Sequence, residues 1–155
     1  MSFFLFIWYF VYLIGKLLHC NIKILVENVD VLCYILHMET TGFVEISKSK
    51  FFSYGFDVDT VQQFNDILGK LKQEHKKATH FCYAYVIEDN GNKEKCTDDK
   101  EPKGTAGIPI MNVLKRKGLK NYAIIVVRYF GGTKLGAGCL LRAYSKSASV
   151  LFNKQ

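Results

Sequence analysis

No aspartate or glutamate follows Glu101. Ten basic residues do: Lys103, Lys115, Arg116, Lys117, Lys120, Arg128, Lys134, Arg142, Lys146 and Lys154. The net charge is +7, and its placement says more than its size. A C-terminal third of one sign favours an anionic partner such as RNA, a phosphorylated ligand or an acidic protein face, against the alternative of a merely solvated basic surface. The five cysteines, Cys20, Cys33, Cys82, Cys96 and Cys139, are odd in number and show no CxxC spacing. That argues against a zinc site or a disulfide framework and for reduced thiols in a cytosol. Neither GxxxxGK[ST] nor GxGxxG occurs, so both standard nucleotide fingerprints are missing. There is no Ser-His-Asp order. His80 and Cys82 share a strand face but lie about 7 Å apart along it, a poor nucleophile–base pair. No repeat or low-complexity linker divides the 155 residues, a length that suits one domain.

What is present begins with "FFLFIWYFVYLI", residues 3–14, apolar without a break. A membrane-spanning helix needs about 20 such residues, and no positive charge precedes this run as a secretory signal requires. Residues 1–37 read as an apolar extension outside the functional protein, against the alternatives of a membrane anchor or an extra core element. Membrane contact of this extension is the less favoured reading, and no lasting membrane partner is expected for 38–155. Met38 opens a stretch, "METTGFVEISKSKF", that reads as an ordinary soluble start.

From there the pattern alternates. "GFVEIS" and "KFFSYGFDV" read as neighbouring strands. Asp59 or Thr60 caps a helix whose stripe is Val61, Phe64, Ile67, Leu68 and Leu71. "HFCYAYVI" returns to strand, with His80, Cys82, Ala84 and Val86 on one face. "EDNGNKEK" is a turn with charged flanks, of the kind that closes a hairpin. "IMNVLKRK" forms a short helix with Pro109 in its first turn and Gly118 closing it. "YAIIVVRY" is a continuous apolar strand. Leu140, Leu141, Tyr144, Ala148 and Leu151 mark the inner stripe of a last helix. The order β β α β (β) α β α predicts an α+β domain: a mixed four- to five-stranded sheet with helices packed on one face.

Two glycine-bearing loops each lead into a helix. "EPKGTAGIP" contains Lys103, Gly104, Thr105 and Gly107; "FGGTKLGAG" contains Gly131, Gly132, Lys134 and Gly136, with Arg128 before it and Arg142 after it. Glycine admits positive φ and close approach to the main chain, and a helix N-terminus favours an anion. These residues are the candidate ligand or anion-binding set. The alternative is tight packing of helix on sheet. Asp98, Asp99 and Glu101 are the acidic counterpart, and could hold a cation, perform acid–base work or pair with Arg128 and Arg142 to anchor the loops. Loop anchoring is the preferred reading. No catalytic residue, metal or cofactor is assigned.

The stretches "ATHFCYAY", "DDKEPKGTAGIPIMNVL" and "NYAIIVVRYFGGTKLGAGCLLRAY" together resemble the N-terminal domain of the IMPACT/YigZ family, over about residues 43–152. The resemblance implies a ribosomal protein S5 domain 2-like fold, and a surface where the "DDxEPxGTAG" and "RYFGG" segments meet. Proteins of the eukaryotic IMPACT branch regulate translation by competing for the activator of the amino-acid-starvation kinase; nucleic-acid binding has been proposed for the YigZ branch. The resemblance thus implies a cytoplasmic binding module in translation or its regulation, contacting RNA, phosphate groups or a ribosome-associated protein. The alternative is a small hydrolase or transferase acting on a phosphorylated substrate through Asp98, Asp99 and Glu101. Two positions depart from the family pattern. Lys100 stands for the usual glycine of "DDGEP", and Cys139 for a glycine before the leucine. The ferredoxin-like second domain of YigZ proteins and the RWD domain of IMPACT proteins have no counterpart in these residues.

Overall fold

The computed structural model describes residues 38–88 and 91–153. The expectations for residues 1–37 lie outside the described residues. Strand β1, Met38–Ile46, and strand β2, Ser49–Asp57, form an antiparallel hairpin. Its two turn residues, Ser47 and Lys48, both take positive φ (48° and 65°), the twist that a two-residue hairpin turn requires. Helix α1, Val61–Glu74, starts at Thr60, whose hydroxyl accepts from the Gln63 amide at 3.1 Å. The Gln63 side chain returns the favour to the Asp59 amide at 2.9 Å, so two otherwise orphaned donors are satisfied. Strands β3, His80–Ile87, and β4, Lys93–Thr97, make the second hairpin. Helix α2, Gly107–Lys117, ends on Gly118 in the left-handed region at φ 63°. Strand β5, Tyr122–Tyr129, and helix α3, Ala137–Val150, complete the order.

The strands lie in the order β1-β2-β5-β3-β4. Every pairing is antiparallel, which corrects the expected mixed sheet. The apolar run of β5 marks a strand covered on both faces, and that pattern does not report direction. The helices are also split between the faces, not gathered on one. Cys82, Ala84, Val86, Ile124 and Val126 pack in one cluster with Ile110 and Leu114 of α2 and Leu140, Tyr144 and Ala148 of α3. The alternate residues of β3 face the other way, where the Phe64 ring of α1 lies 4.8 Å from the rings of both Tyr83 and Tyr85. A buried side chain of the size of Leu140 or Phe64 contributes about 1.5–3 kcal/mol, so both layers hold the sheet. Leu141, expected on the inner stripe of α3, is instead 47% exposed.

This topology places the loops. β4 and β5 both run antiparallel to β3, so both finish at the same edge of the sheet. Helix α2 follows β4 and α3 follows β5. The loops that lead into both helices therefore start at that end of the sheet, and they bring Glu101 and Gly131 beside Arg128 and its partner Ser49.

Candidate functional site

Arg128 is the last inward-facing residue of β5 and is only 3% exposed. Its guanidinium pairs with the Glu101 carboxylate and reaches the Ser49 hydroxyl at 3.3 Å. Burying two charges is costly in solvation, and here each is held by its opposite. The Tyr144 hydroxyl donates to the same Glu101 oxygen at 2.8 Å. His80 completes the cluster: its Nδ1 donates to the Asp99 carbonyl at 2.8 Å, and its Nε2 stands 3.7 Å from Glu101. The Phe51 ring lies 5.5 Å from the guanidinium and 5.3 Å, edge-on, from the Tyr144 ring. The "DDKEP" and "RYFGG" segments are thus locked together by a buried ion pair.

The three neighbouring carboxylates diverge. Asp98 accepts from the amides of Gly104 at 2.8 Å, Ala106 at 3.0 Å and Gly107 at 2.8 Å. Those are the donors that a glycine loop at a helix N-terminus would offer to phosphate, and the chain's own carboxylate occupies them. Burial works against the ionised form of Asp98, but the three amides outweigh it and hold the carboxyl below its ordinary value. Asp99 turns the opposite way and accepts from the Phe81 amide at 2.7 Å. Glu101 points at Arg128. No group of three His, Cys, Asp or Glu residues is placed to hold a metal ion among the described residues. Asp98 through Glu101 make a tight turn closed by Glu101 N–H to the Asp98 carbonyl at 2.9 Å. Asp99 and Lys100 occupy positive φ there, at 38° and 69°. A glycine at 100 would fit that turn without strain; lysine does not.

The glycines serve different purposes. A Cβ on Gly131 would overlap the Lys48 carbonyl and the Ser49 nitrogen, so this glycine lets the loop pass against the first hairpin. Its amide donates to the Ser49 hydroxyl at 3.2 Å. Gly107 has the Thr97 backbone 2.9 Å from where a Cβ would sit. Gly104 and Gly132 hold positive φ, 80° and 86°. Thr105 folds its hydroxyl back onto the Pro102 carbonyl at 2.6 Å. Gly136 is different: its φ is ordinary, the space around it is open, and no side chain caps the helix that starts there. The first turn of α3 carries no acid. Lys103, Lys134 and Arg142 are exposed and form no ion pair among the described residues. A depression of about 350 Å³ lies between α2 and α3, lined by Pro109, Asn112, Lys115, Arg116, Leu141 and Ser145.

The structure therefore divides the candidate set. Asp98, Asp99, Glu101, Thr105, Gly107, Arg128 and Gly131 are engaged within the fold. Arg128, expected among the ligand cations, is neutralised by Glu101 and shielded from solvent. Lys103, Lys134, Gly136 and Arg142 face outward. Ser49, His80 and Tyr144 went unforeseen in the cluster, because their places depend on the first hairpin and on the register of β3 against β5. Cys82 is fully buried, and its thiol reaches the Asp98 carbonyl at 3.1 Å. Burial pushes that thiol well above its ordinary range, which disqualifies it as a nucleophile.

Comparison with known proteins agrees with these segments. The Impact N-terminal domain model matches residues 47–152. The IMPACT family member YvyE of Bacillus subtilis is 49% identical over 110 residues, which cover 71% of this chain and 51% of that protein. The IMPACT family member YigZ of Escherichia coli is 37% identical over 102 residues, covering 64% and 50%. Among solved structures, the crystal structure of a hypothetical protein superposes with a TM-score of 0.69 at 34% identity, over 73% of this chain and 56% of that one. The chain spans about half the length of the curated relatives it matches.

Proposed function

The chain belongs to the IMPACT family through its Impact N-terminal domain, and we propose that it is a binding module acting in translation or its regulation. In this reading residues 38–155 carry the function, in the cytoplasm, and residues 1–37 are dispensable to it. The contact surface is the entry to α3, where Gly136, Lys134 and Arg142 meet, with Lys103 on the adjoining loop. One observation carries the choice. Asp98 saturates the amides at the start of α2 and Glu101 neutralises Arg128, so of the two helix entries it is that of α3 whose positive potential is unopposed. A helix N-terminus with free main-chain donors and flanking cations suits a phosphate group, whether in RNA or on a protein. The hydrolase or transferase reading loses support, because each of its three carboxylates is committed to a structural bond and they do not converge.

Fluorescence anisotropy with labelled RNA across a salt series tests the RNA form of this reading. Affinity falls steeply with salt, because contacts from lysine and arginine release counterions. Lys134→Ala and Arg142→Ala weaken binding with the fold intact, while Lys154→Ala changes little. Absence of binding even at low salt removes RNA. Capture of a translation-associated protein by residues 38–155 from nuclease-treated extract then decides whether the module binds protein instead.

A further inference from the structure

The face of the sheet that α1 covers is only partly covered. Helix α1 lies over β3 through Phe64, and its end, His75, reaches β2 and β5. Beyond His75 the same face carries a run of rings: Phe43 on β1, Phe52 and Tyr54 on β2, Tyr129 on β5. Phe43 and Phe52 are register partners with centroids 5.0 Å apart. Phe52 lies 5.7 Å from Tyr129 and 5.8 Å from His75. Phe43 is 49% exposed, and the other three are half-buried.

This cluster is fixed in place. The imidazole of His75 bonds the Tyr54 hydroxyl at Nε2 and the Tyr129 hydroxyl at Nδ1, each at 2.7 Å. A neutral ring donates at one nitrogen and accepts at the other, so both phenols are tied down by one imidazole. Burial raises the Tyr54 phenol to about 12, with Glu74 and Tyr129 adding to the shift, so it keeps its proton. Around the rings stand Lys48, Lys50, Lys76 and Lys77, all exposed and in no ion pair among the described residues. Glu45 and Glu74 are the local acids, and the lysines outnumber them two to one.

Rigid rings with an open edge, bordered by free lysines, make a stacking surface for unpaired bases whose backbone follows the cations. We propose that the β1–β2–β5 face is a second nucleic-acid contact, on which single-stranded RNA stacks its bases against Phe43 and Phe52 while Lys48 and Lys50 meet its phosphates. It rests on the RNA form of the reading above, but lies on the opposite face of the sheet from α3. A base in a duplex cannot reach the rings, so this surface distinguishes single from double strands, and the α3 entry does not.

The test is anisotropy with fluorescein-labelled oligouridylate and with a labelled RNA duplex, on the full chain. Phe43→Ala weakens oligouridylate binding by roughly 5- to 150-fold, the range found for loss of one stacked base, and leaves duplex affinity unchanged. Phe43→Trp keeps the stacking face and restores binding. Lys50→Ala lowers the slope of log affinity against log salt by about 0.7, as for one phosphate contact on a single strand. Because Phe43 is half exposed, the unfolding midpoint of each variant, measured alongside, shows whether the fold is kept. Equal weakening for both RNAs, or no effect of a folded Phe43→Ala variant, overturns the platform. If Lys134→Ala still weakens binding in that case, the α3 contact stands without it. If neither RNA binds the wild-type chain, the platform and the RNA form of the α3 reading fall together, and protein capture alone remains for the latter.

Discussion

At the entry to α2, Asp98 lends a carboxylate to three main-chain amides; at the entry to α3, Gly136 offers no side chain at all. Both segments are glycine-bearing, both lead into a helix, and both lie at the sheet edge where β4 and β5 finish. One has its anion built in, and the other, between Lys134 and Arg142, has no side-chain cap. A glycine-rich loop before a helix is therefore a capacity for anions that the rest of the chain can use up. The difference lies in whether a carboxylate from a nearby turn reaches in.

The largest effect should come from the bolt between the loops. Glu101→Ala leaves the Arg128 charge buried without its partner, and should cost about 3–5 kcal/mol, lowering the melting temperature by roughly 10 °C or more. Glu101→Leu combined with Arg128→Met should recover much of that loss in calorimetry. If the single variant is as stable as the wild type, the buried pair does not hold the loops.

A smaller loss is expected at the closed entry. Asp98→Ala removes a charged acceptor from three amides and should cost about 2–3 kcal/mol in denaturant unfolding. The folded-state carboxyl is held below its ordinary value of 3.8, so its stabilisation is complete above that value and is lost as pH falls further. The gap between wild type and variant should accordingly be constant near neutrality and narrow in acid below that value. A gap that is unchanged in strong acid would contradict the bonding described for Asp98.

The smallest effect runs the other way. Lys100 sits at φ 69° in the turn that carries Asp98 and Glu101. Lys100→Gly relieves a left-handed side chain and gives back some chain entropy on unfolding, a net gain of about 0.5–1 kcal/mol. A loss of stability on this change would mean that the lysine side chain contributes something beyond the turn.

The element order was readable because each element keeps its period. Phe64, Ile67 and Leu71 repeat as a helix, and Cys82, Ala84 and Val86 alternate as a strand. Strand direction and helix sidedness were not readable, since "YAIIVV" shows only that β5 is covered on at least one face. Within the site, the loop-anchoring role of the acidic cluster followed from opposite charges close to glycine loops. The division of labour did not. Asp98 and Asp99 are adjacent in sequence, yet a turn with two positive φ angles sends them to α2 and to β3. Leu141 was misplaced because α3 is apolar over a broad arc, so period alone does not rank its leucines. Gly131 and Gly136 look alike in sequence, and only the passing hairpin at Lys48 and Ser49 makes the first a packing glycine.

Installing at α3 the device that closes α2 tests the comparison most directly. Gly136 has φ −67° and ψ 160°, the extended geometry of a helix cap, with no atom within 4 Å of a new Cβ. Gly136→Asp should cap α3 and stabilise the domain by roughly a few tenths of a kcal/mol, since aspartate is among the best caps and glycine is only slightly worse. The same carboxylate would occupy the free amides and repel phosphate. Anisotropy with a labelled RNA duplex at low salt, which bypasses the aromatic face, should show binding lost while the melting temperature holds or rises. A stable Gly136→Asp variant that binds the duplex as tightly as the wild type would contradict the assignment of the α3 entry as the contact surface.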